Sequence, residues 1–157
     1  MTSSFRHLLL ASLGAVPFAV NALPVAAATP PDTITIPGER IFPESLTSAS
    51  DGSVIIGSIA QKTVYRAKPG AATAEVWIAP GTENLNNVLG VFADNKAGTV
   101  YVCSNLLGPP GPGPAVNATL LTFDAKTGTE KGHYVFPTEK GVCNDIAVDA
   151  EIGRAHV

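Results

Sequence analysis

The chain has 157 residues, and its 10 Lys and Arg against 13 Asp and Glu give a formal net charge of −3. This mild, evenly mixed acidity argues against a nucleic-acid surface, so the predicted partner is a small-molecule substrate or ligand. Its 13 Pro and 15 Gly favour many turns and short strands over long helices.

Residues 1–28 have the organisation of a secretory signal peptide. Arg6 and His7 precede an uncharged apolar run at residues 8–20, and small residues follow at 25–28. The run is shorter than the roughly 20 apolar residues that a membrane-spanning helix needs. We therefore predict cleavage after Ala28, with Ala22 as the alternative, and a periplasmic or extracellular protein that is not membrane-bound after cleavage.

After an extended lead-in at residues 29–40, short β-type runs recur twice in the same order. The predicted strands of the first unit are Leu46–Ala49, Val54–Ile59, Thr63–Arg66 and Ala74–Ile78. Those of the second unit are Val91–Asp94, Val100–Cys103, Leu120–Asp124 and His133–Phe136. Turn residues separate the strands, and Asp51-Gly52 is predicted to be a hairpin turn.

A third unit opens at residues 144–149. A period of roughly 45 residues with four strands per unit is typical of β-propeller blades. We therefore predict that residues 41–150 are the N-terminal part of an all-β propeller domain, with about two blades plus the first strand of a third. The alternating Thr and Ile of residues 33–36 then form either an outer strand of the last blade or a plain extended segment.

The last seven residues, 151–157, match a translated sequencing adapter. The adapter, read in the frame GAG ATC GGA AGA GCA CAC GTC, encodes Glu-Ile-Gly-Arg-Ala-His-Val. We predict that this segment is an artefact and that the natural sequence departs from it after Ala150, so Arg154 and His156 are excluded from any site.

Three aligned positions are the candidates for ligand binding. In a propeller, the residues just before the innermost strand of each blade gather around one mouth of the axial channel. Here those positions are Glu44, Leu89 and Asn144. A carboxylate and an amide oxygen suit a hard divalent cation, Ca²⁺ or Mg²⁺, which prefers oxygen ligands.

The two cysteines, Cys103 and Cys143, each follow a valine in corresponding regions of the repeat. In an oxidising compartment they can form a disulfide. The alternative is a pair of buried, small apolar side chains, and sequence spacing does not decide between the two.

The segments Phe42-Pro43-Glu44-Ser45-Leu46 and Cys143-Asn144-Asp145-Ile146-Ala147-Val148-Asp149 resemble the SMP-30/gluconolactonase/luciferin-regenerating-enzyme family. The resemblance spans residues 41–149 and implies a six-bladed β-propeller. It implies that Glu44 binds a catalytic divalent metal, that Asn144 lies near metal and substrate, and that Asp145 belongs to the substrate site. The family's other metal ligands, including the Asp that serves as general base, fall in blades beyond this sequence. Its substrate-contacting Arg is replaced by Val142, which argues against sugar lactones.

Two functions follow from this reading. The first is an exported, divalent-metal-dependent hydrolase of a lactone or related ester, whose general base is not in this chain. The alternative is a non-catalytic β-propeller that binds a ligand or protein through its channel mouth. The sequence leaves the oligomeric state open.

Overall fold

The computed structural model describes residues 29, 31–82, 84–108, 118–137 and 141–149, together with the backbone strand at 155–156. The predicted signal peptide and most of the predicted adapter-encoded segment lie outside the described residues. The predicted all-β fold is confirmed in the described part of the chain. In that part, no helix is long and apolar enough to cross a membrane.

Two four-stranded antiparallel sheets form the body of the structure, and each pairs its strands in chain order. The strands of the first sheet are β1 (Pro43–Ser48), β2 (Val54–Ser58), β3 (Thr63–Ala67) and β4 (Glu75–Ile78). Those of the second sheet are β5 (Asn87–Asp94), β6 (Thr99–Asn105), β7 (Ala118–Asp124) and β8 (Glu130–Val135). A short antiparallel ladder joins β9 (Ala147–Val148) and β10 (Ala155–His156). The two units predicted from the sequence are the two sheets.

Two turns of the second sheet are closed in the same way. The carboxylates of Asp94 and Asp124 each accept hydrogen bonds of 2.9 to 3.0 Å from the backbone amides two and three residues later. Gly98 and Gly128 complete these turns with φ of 61° and 72°, a conformation that costs glycine little. The amide of Thr127 is the main reason that the pKa of Asp124 lies below its usual value.

The main hydrophobic core lies between the two sheets. The first sheet contributes Ile55 and Val64, and the second contributes Val100, Leu121 and Phe123, all with 0% exposure. Because removal of apolar surface from water is the largest favourable term in folding, this shared core makes the two sheets one packed body.

The lead-in covers the opposite face of the first sheet. Ile34 and Ile36 pack against a cluster that includes Ile56 and Tyr65. Thr35 donates to the Ala72 carbonyl and accepts from the Ala74 amide, both at 2.9 Å. In this structure the lead-in therefore packs on the first unit, as an extended segment.

The segment before β9 covers the opposite face of the second sheet. Cys143 and Ile146 pack there against Leu89, Cys103 and Leu120. The order of layers is therefore lead-in, first sheet, second sheet and the start of the third unit.

Candidate functional site

The first strand of each four-stranded sheet carries a β-bulge at the same place. In the first sheet the ladder register shifts by one between Pro43 and Leu46, and in the second it shifts between Val88 and Val91. The extra residue falls at Glu44–Ser45 in β1 and at Leu89–Gly90 in β5. Bulges change the direction of side chains and are common next to active sites. Two of the three predicted ligand positions, Glu44 and Leu89, thus lie in equivalent irregularities.

Hydrogen bonds from side chains hold β1 alongside β5. The Ser45 hydroxyl accepts from the Val91 amide at 3.1 Å and lies 3.5 Å from the Val91 carbonyl oxygen. The Thr47 hydroxyl accepts from the Ala93 amide at 3.2 Å. Glu44 directly precedes Ser45, so these hydrogen bonds hold the Glu44 backbone next to the β5 bulge. The Glu44 side chain is exposed.

The third predicted position, Asn144, lies against the other side of the β5 bulge. A Cβ atom at Gly90 would come within 2.5 Å of the Asn144 carbonyl oxygen. The backbone can approach this closely only because residue 90 has no side chain. The structure therefore places the backbones at Glu44, Leu89-Gly90 and Asn144 in this order along one edge of the molecule, which we call the β1/β5 edge.

The side chains of Asn144 and Asp145 are exposed at this edge. One carboxylate oxygen of Asp145 accepts from the Ile146 amide at 2.8 Å, so that oxygen is already used within the segment. Val142, which stands where the resembled family has a substrate-contacting Arg, is 57% exposed. The exposed side chains of Glu44, Asn144 and Asp145 all carry oxygen atoms at the β1/β5 edge. Oxygen atoms are the ligands that Ca²⁺ and Mg²⁺ prefer.

Three or more His, Cys, Asp or Glu side chains do not gather into a metal-binding group anywhere among the described residues. Glu44 and Asn144 are therefore candidate ligands that do not belong to such a group in that part of the chain. Their role in metal binding stays a prediction.

Cys103 and Cys143 form a disulfide, the first of the two alternatives that the sequence left open. Both residues have 0% exposure. The bond ties the segment that carries Asn144 to strand β6 of the second sheet.

Asn105, which no sequence pattern indicated, also holds this segment. It has 0% exposure, donates to the Cys143 carbonyl at 2.8 Å and accepts from the Cys143 amide at 2.9 Å. The polar amide that follows the apolar residues of β6 was the signal in the sequence that could have indicated a buried contact.

A cleft of about 480 Å³ lies between the β5–β6 turn and β9, and Glu44, Leu89 and Asn144 are not among its lining residues. Its walls include Phe92, Asp94, Tyr101 and Val148. Burial raises the pKa of Tyr101, and the negative charge of Asp94 adds to this shift. The cleft is formed on the face of the second sheet that points away from the first.

A scan against protein-family models found no match for this chain. A search of curated proteins found no match either.

Proposed function

We propose that this chain is part of an exported, divalent-metal-dependent hydrolase of a lactone or related ester, built as a six-bladed β-propeller of the SMP-30/gluconolactonase/luciferin-regenerating-enzyme type. The observation that carries the proposal is the β1/β5 edge. There the β1 bulge with Glu44, the β5 bulge and the Asn144 backbone follow one another on successive repeat units.

The propeller part of the proposal is supported by irregularities that the two sheets share. Besides the bulges in β1 and β5, the register shifts by one between Val64 and Tyr65 in the first sheet and between Thr122 and Phe123 in the second. The turns Ala67-Lys68-Pro69-Gly70 and Ala125-Lys126-Thr127-Gly128 align Val64 with Thr122. The two sheets therefore share both register shifts, which is expected of repeated structural units such as propeller blades.

The way in which the sheets face each other also supports successive blades. Ile55 of β2 faces the second sheet. Tyr101 of β6, the residue aligned with Ile55, faces the start of the third unit. Val91 and its aligned residue Ile146 each pack back onto the preceding sheet. The same face of each unit therefore meets the next unit, as in a propeller.

The chemistry at the β1/β5 edge fits a hard cation because the exposed groups are a carboxylate and an amide oxygen. Glu44 and Asn144 would hold the ion from the first and the third unit, on either side of the β5 bulge. A divalent cation bound there would polarise the carbonyl of an ester or lactone. The general base is not assigned to a residue of this chain.

Export is supported by the organisation of residues 1–28, which lie outside the described residues, and by the disulfide. Structural disulfides persist in oxidising compartments such as the periplasm and the extracellular space. We propose one of these as the location.

The first prediction tests Glu44 as a metal ligand. Millimolar Ca²⁺ or Mg²⁺ should raise the melting temperature of the chain, because an ion that binds only the folded state at about ten times its dissociation constant stabilises it by about 1.4 kcal/mol. Glu44→Ala should abolish the shift. Differential scanning fluorimetry with and without the ion measures it.

The matched control is Glu75→Ala, because Glu75 is an exposed carboxylate on β4, at the opposite edge of the first sheet from β1. It should leave the metal-dependent shift unchanged. A chain that neither ion stabilises would contradict the metal site and favour the non-catalytic binding module. An equal loss in both variants would mean that the ion acts through general charge.

A further inference from the structure

Asn105 pairs with the backbone of the third unit in the way that a neighbouring strand would. Its side-chain amide meets both the carbonyl and the amide of Cys143, at 2.8 and 2.9 Å. A carboxamide has the donor and acceptor of a peptide group, so one side chain satisfies both backbone groups. Cys143 itself lies outside the named strands, because β9 begins at Ala147.

The disulfide acts on the same residue from the same strand. Cys103 and Asn105 are two positions apart in β6, and residues at i and i+2 of a strand lie on the same face. Cys143 is therefore held covalently and by two hydrogen bonds at once. Ile146 packs into the same hydrophobic cluster as the two cysteines, so the segment also contacts the second sheet on the C-terminal side of Asn144.

Asn144, the next residue after Cys143, is the one whose carbonyl oxygen occupies the space left open by Gly90. The contacts at Cys143 thus fix the backbone immediately before the candidate ligand. A ligand side chain needs such a fixed support to hold a defined position.

We propose that Asn105 and the Cys103–Cys143 disulfide are positioning elements that dock the 141–146 segment on the second sheet and so fix Asn144 at the β1/β5 edge. The part that concerns metal affinity rests on the proposed function. The docking part stands on the contacts alone.

Asn87 provides a matched control. It is a buried asparagine with 9% exposure and faces Asn105 in the β5–β6 ladder. Like Asn105, it makes two hydrogen bonds to backbone groups, donating to the Ile59 carbonyl at 2.8 Å and accepting from the Leu107 amide at 3.0 Å. Neither of these partners belongs to the 141–146 segment.

The experiment measures amide hydrogen exchange by mass spectrometry, together with Ca²⁺ affinity, in the full chain. Asn105→Ala should speed exchange in residues 141–146 on the order of tenfold or more, because the segment loses both hydrogen bonds at Cys143. Asn87→Ala should leave exchange in that segment unchanged. Asn105→Ala should also weaken Ca²⁺ binding, whereas Asn87→Ala should not.

A second variant covers the case in which Asn105→Ala does not fold. The double variant Cys103→Ala, Cys143→Ala keeps Asn105 and should also raise exchange in residues 141–146. Unchanged exchange there in a folded variant would overturn the docking, and faster exchange with unchanged Ca²⁺ affinity would overturn the positioning of Asn144. If the unaltered chain binds neither Ca²⁺ nor Mg²⁺, the proposed function fails, while the exchange result still decides the docking.

Discussion

Asp51 shows how one turn residue connects the two sheets. Its carboxylate accepts from the amide and the hydroxyl of Ser53 at 2.9 and 3.0 Å, and it pairs with Arg66 at 2.6 Å. Arg66 also donates to the Ala125 carbonyl of the second sheet at 2.9 Å and lies 5.4 Å from the centre of the Trp77 ring. The hairpin turn thus orients a buried guanidinium that crosses between the sheets.

The pH dependence of stability should reveal this role. The Ser53 amide, followed by the Ser53 hydroxyl and Arg66, holds the pKa of Asp51 below its usual 3.8. A carboxyl group whose pKa is lower in the folded state than in the unfolded state stabilises the fold at any pH above the unfolded-state pKa. This stabilisation is lost as the pH falls through the folded-state pKa. Because the Asp51 side chain is about half exposed, Asp51→Asn should lower the free energy of unfolding by at most about 1 kcal/mol at neutral pH.

Urea unfolding of both proteins from neutral pH to about pH 2 measures this difference, which should shrink below about pH 4. The control is Glu39→Gln, a change at an exposed carboxylate of the lead-in. A cost for Asp51→Asn that stays constant over the whole pH range would show that its charge is not what stabilises the turn.

The sequence predicted the turn at Asp51-Gly52 but not its pairing with Arg66. A turn depends on local chemistry, because Asp hydrogen-bonds the backbone two residues on and Gly52 adopts φ of 83°. The ion pair joins a residue of the β1–β2 turn to a residue of β3, so it needs the register of β2 and β3. A slip of one residue in that register would turn the Arg66 side chain to the other face of the sheet.

At the scale of elements, the bulge of β5 is the feature on which the candidate site depends. Gly90→Ala would put a methyl group 2.5 Å from the Asn144 carbonyl oxygen, which is closer than two non-bonded atoms can lie. The segment from 141 to 146 would have to shift. We expect a loss of about 1–3 kcal/mol in the free energy of unfolding, the usual cost of overpacking.

Chemical denaturation of Gly90→Ala measures this loss, and hydrogen exchange in residues 141–146 locates it. Gly132→Ala in β8 is the matched control, because its new methyl group would have the Thr122 and Tyr134 hydroxyls as its nearest neighbours, both at 3.5 Å, an ordinary contact distance. Equal stability of the two variants would mean that the 141–146 segment does not rest on Gly90.

The strands were predicted well where apolar residues follow one another and less well at their ends. The run Val54–Ile59 matches β2, Val54–Ser58, almost residue for residue. In contrast, β8 begins at Glu130, three residues before the predicted start at His133, because its first residues are polar and carry no hydrophobic pattern. The bulges were not predicted, since a one-residue irregularity is defined only against a partner strand.

At the scale of the whole molecule, the alignment of units predicted which positions share the β1/β5 edge, whereas the contacts that hold them there came only from the structure. Glu44 and Leu89 occupy the same bulge because the two units repeat. Asn105 has no such pattern, since the aligned position in the first unit is Ile59. Its function in the fold depends on the particular segment that follows the second sheet.

The shared core between the sheets predicts that the two units unfold together. In repeat proteins, stability comes both from each unit and from the interface between neighbours. Phe123 of β7 has 0% exposure and packs in the core that also contains Ile55 and Val64 of the first sheet. Phe123→Ala should therefore lower the free energy of unfolding by about 3–5 kcal/mol. Both sheets should be destabilised.

Trp77, the single tryptophan of the chain, lies in β4 and reports on the first sheet through its fluorescence. In Phe123→Ala its urea midpoint should fall together with the midpoint from far-ultraviolet circular dichroism, which reports on both sheets. Tyr134→Ala, at a β8 residue that is 61% exposed, should leave both midpoints nearly unchanged. A Trp77 midpoint that stays at its original value while the dichroism midpoint falls would show two units that fold independently, and the interface would then contribute little to the stability of either.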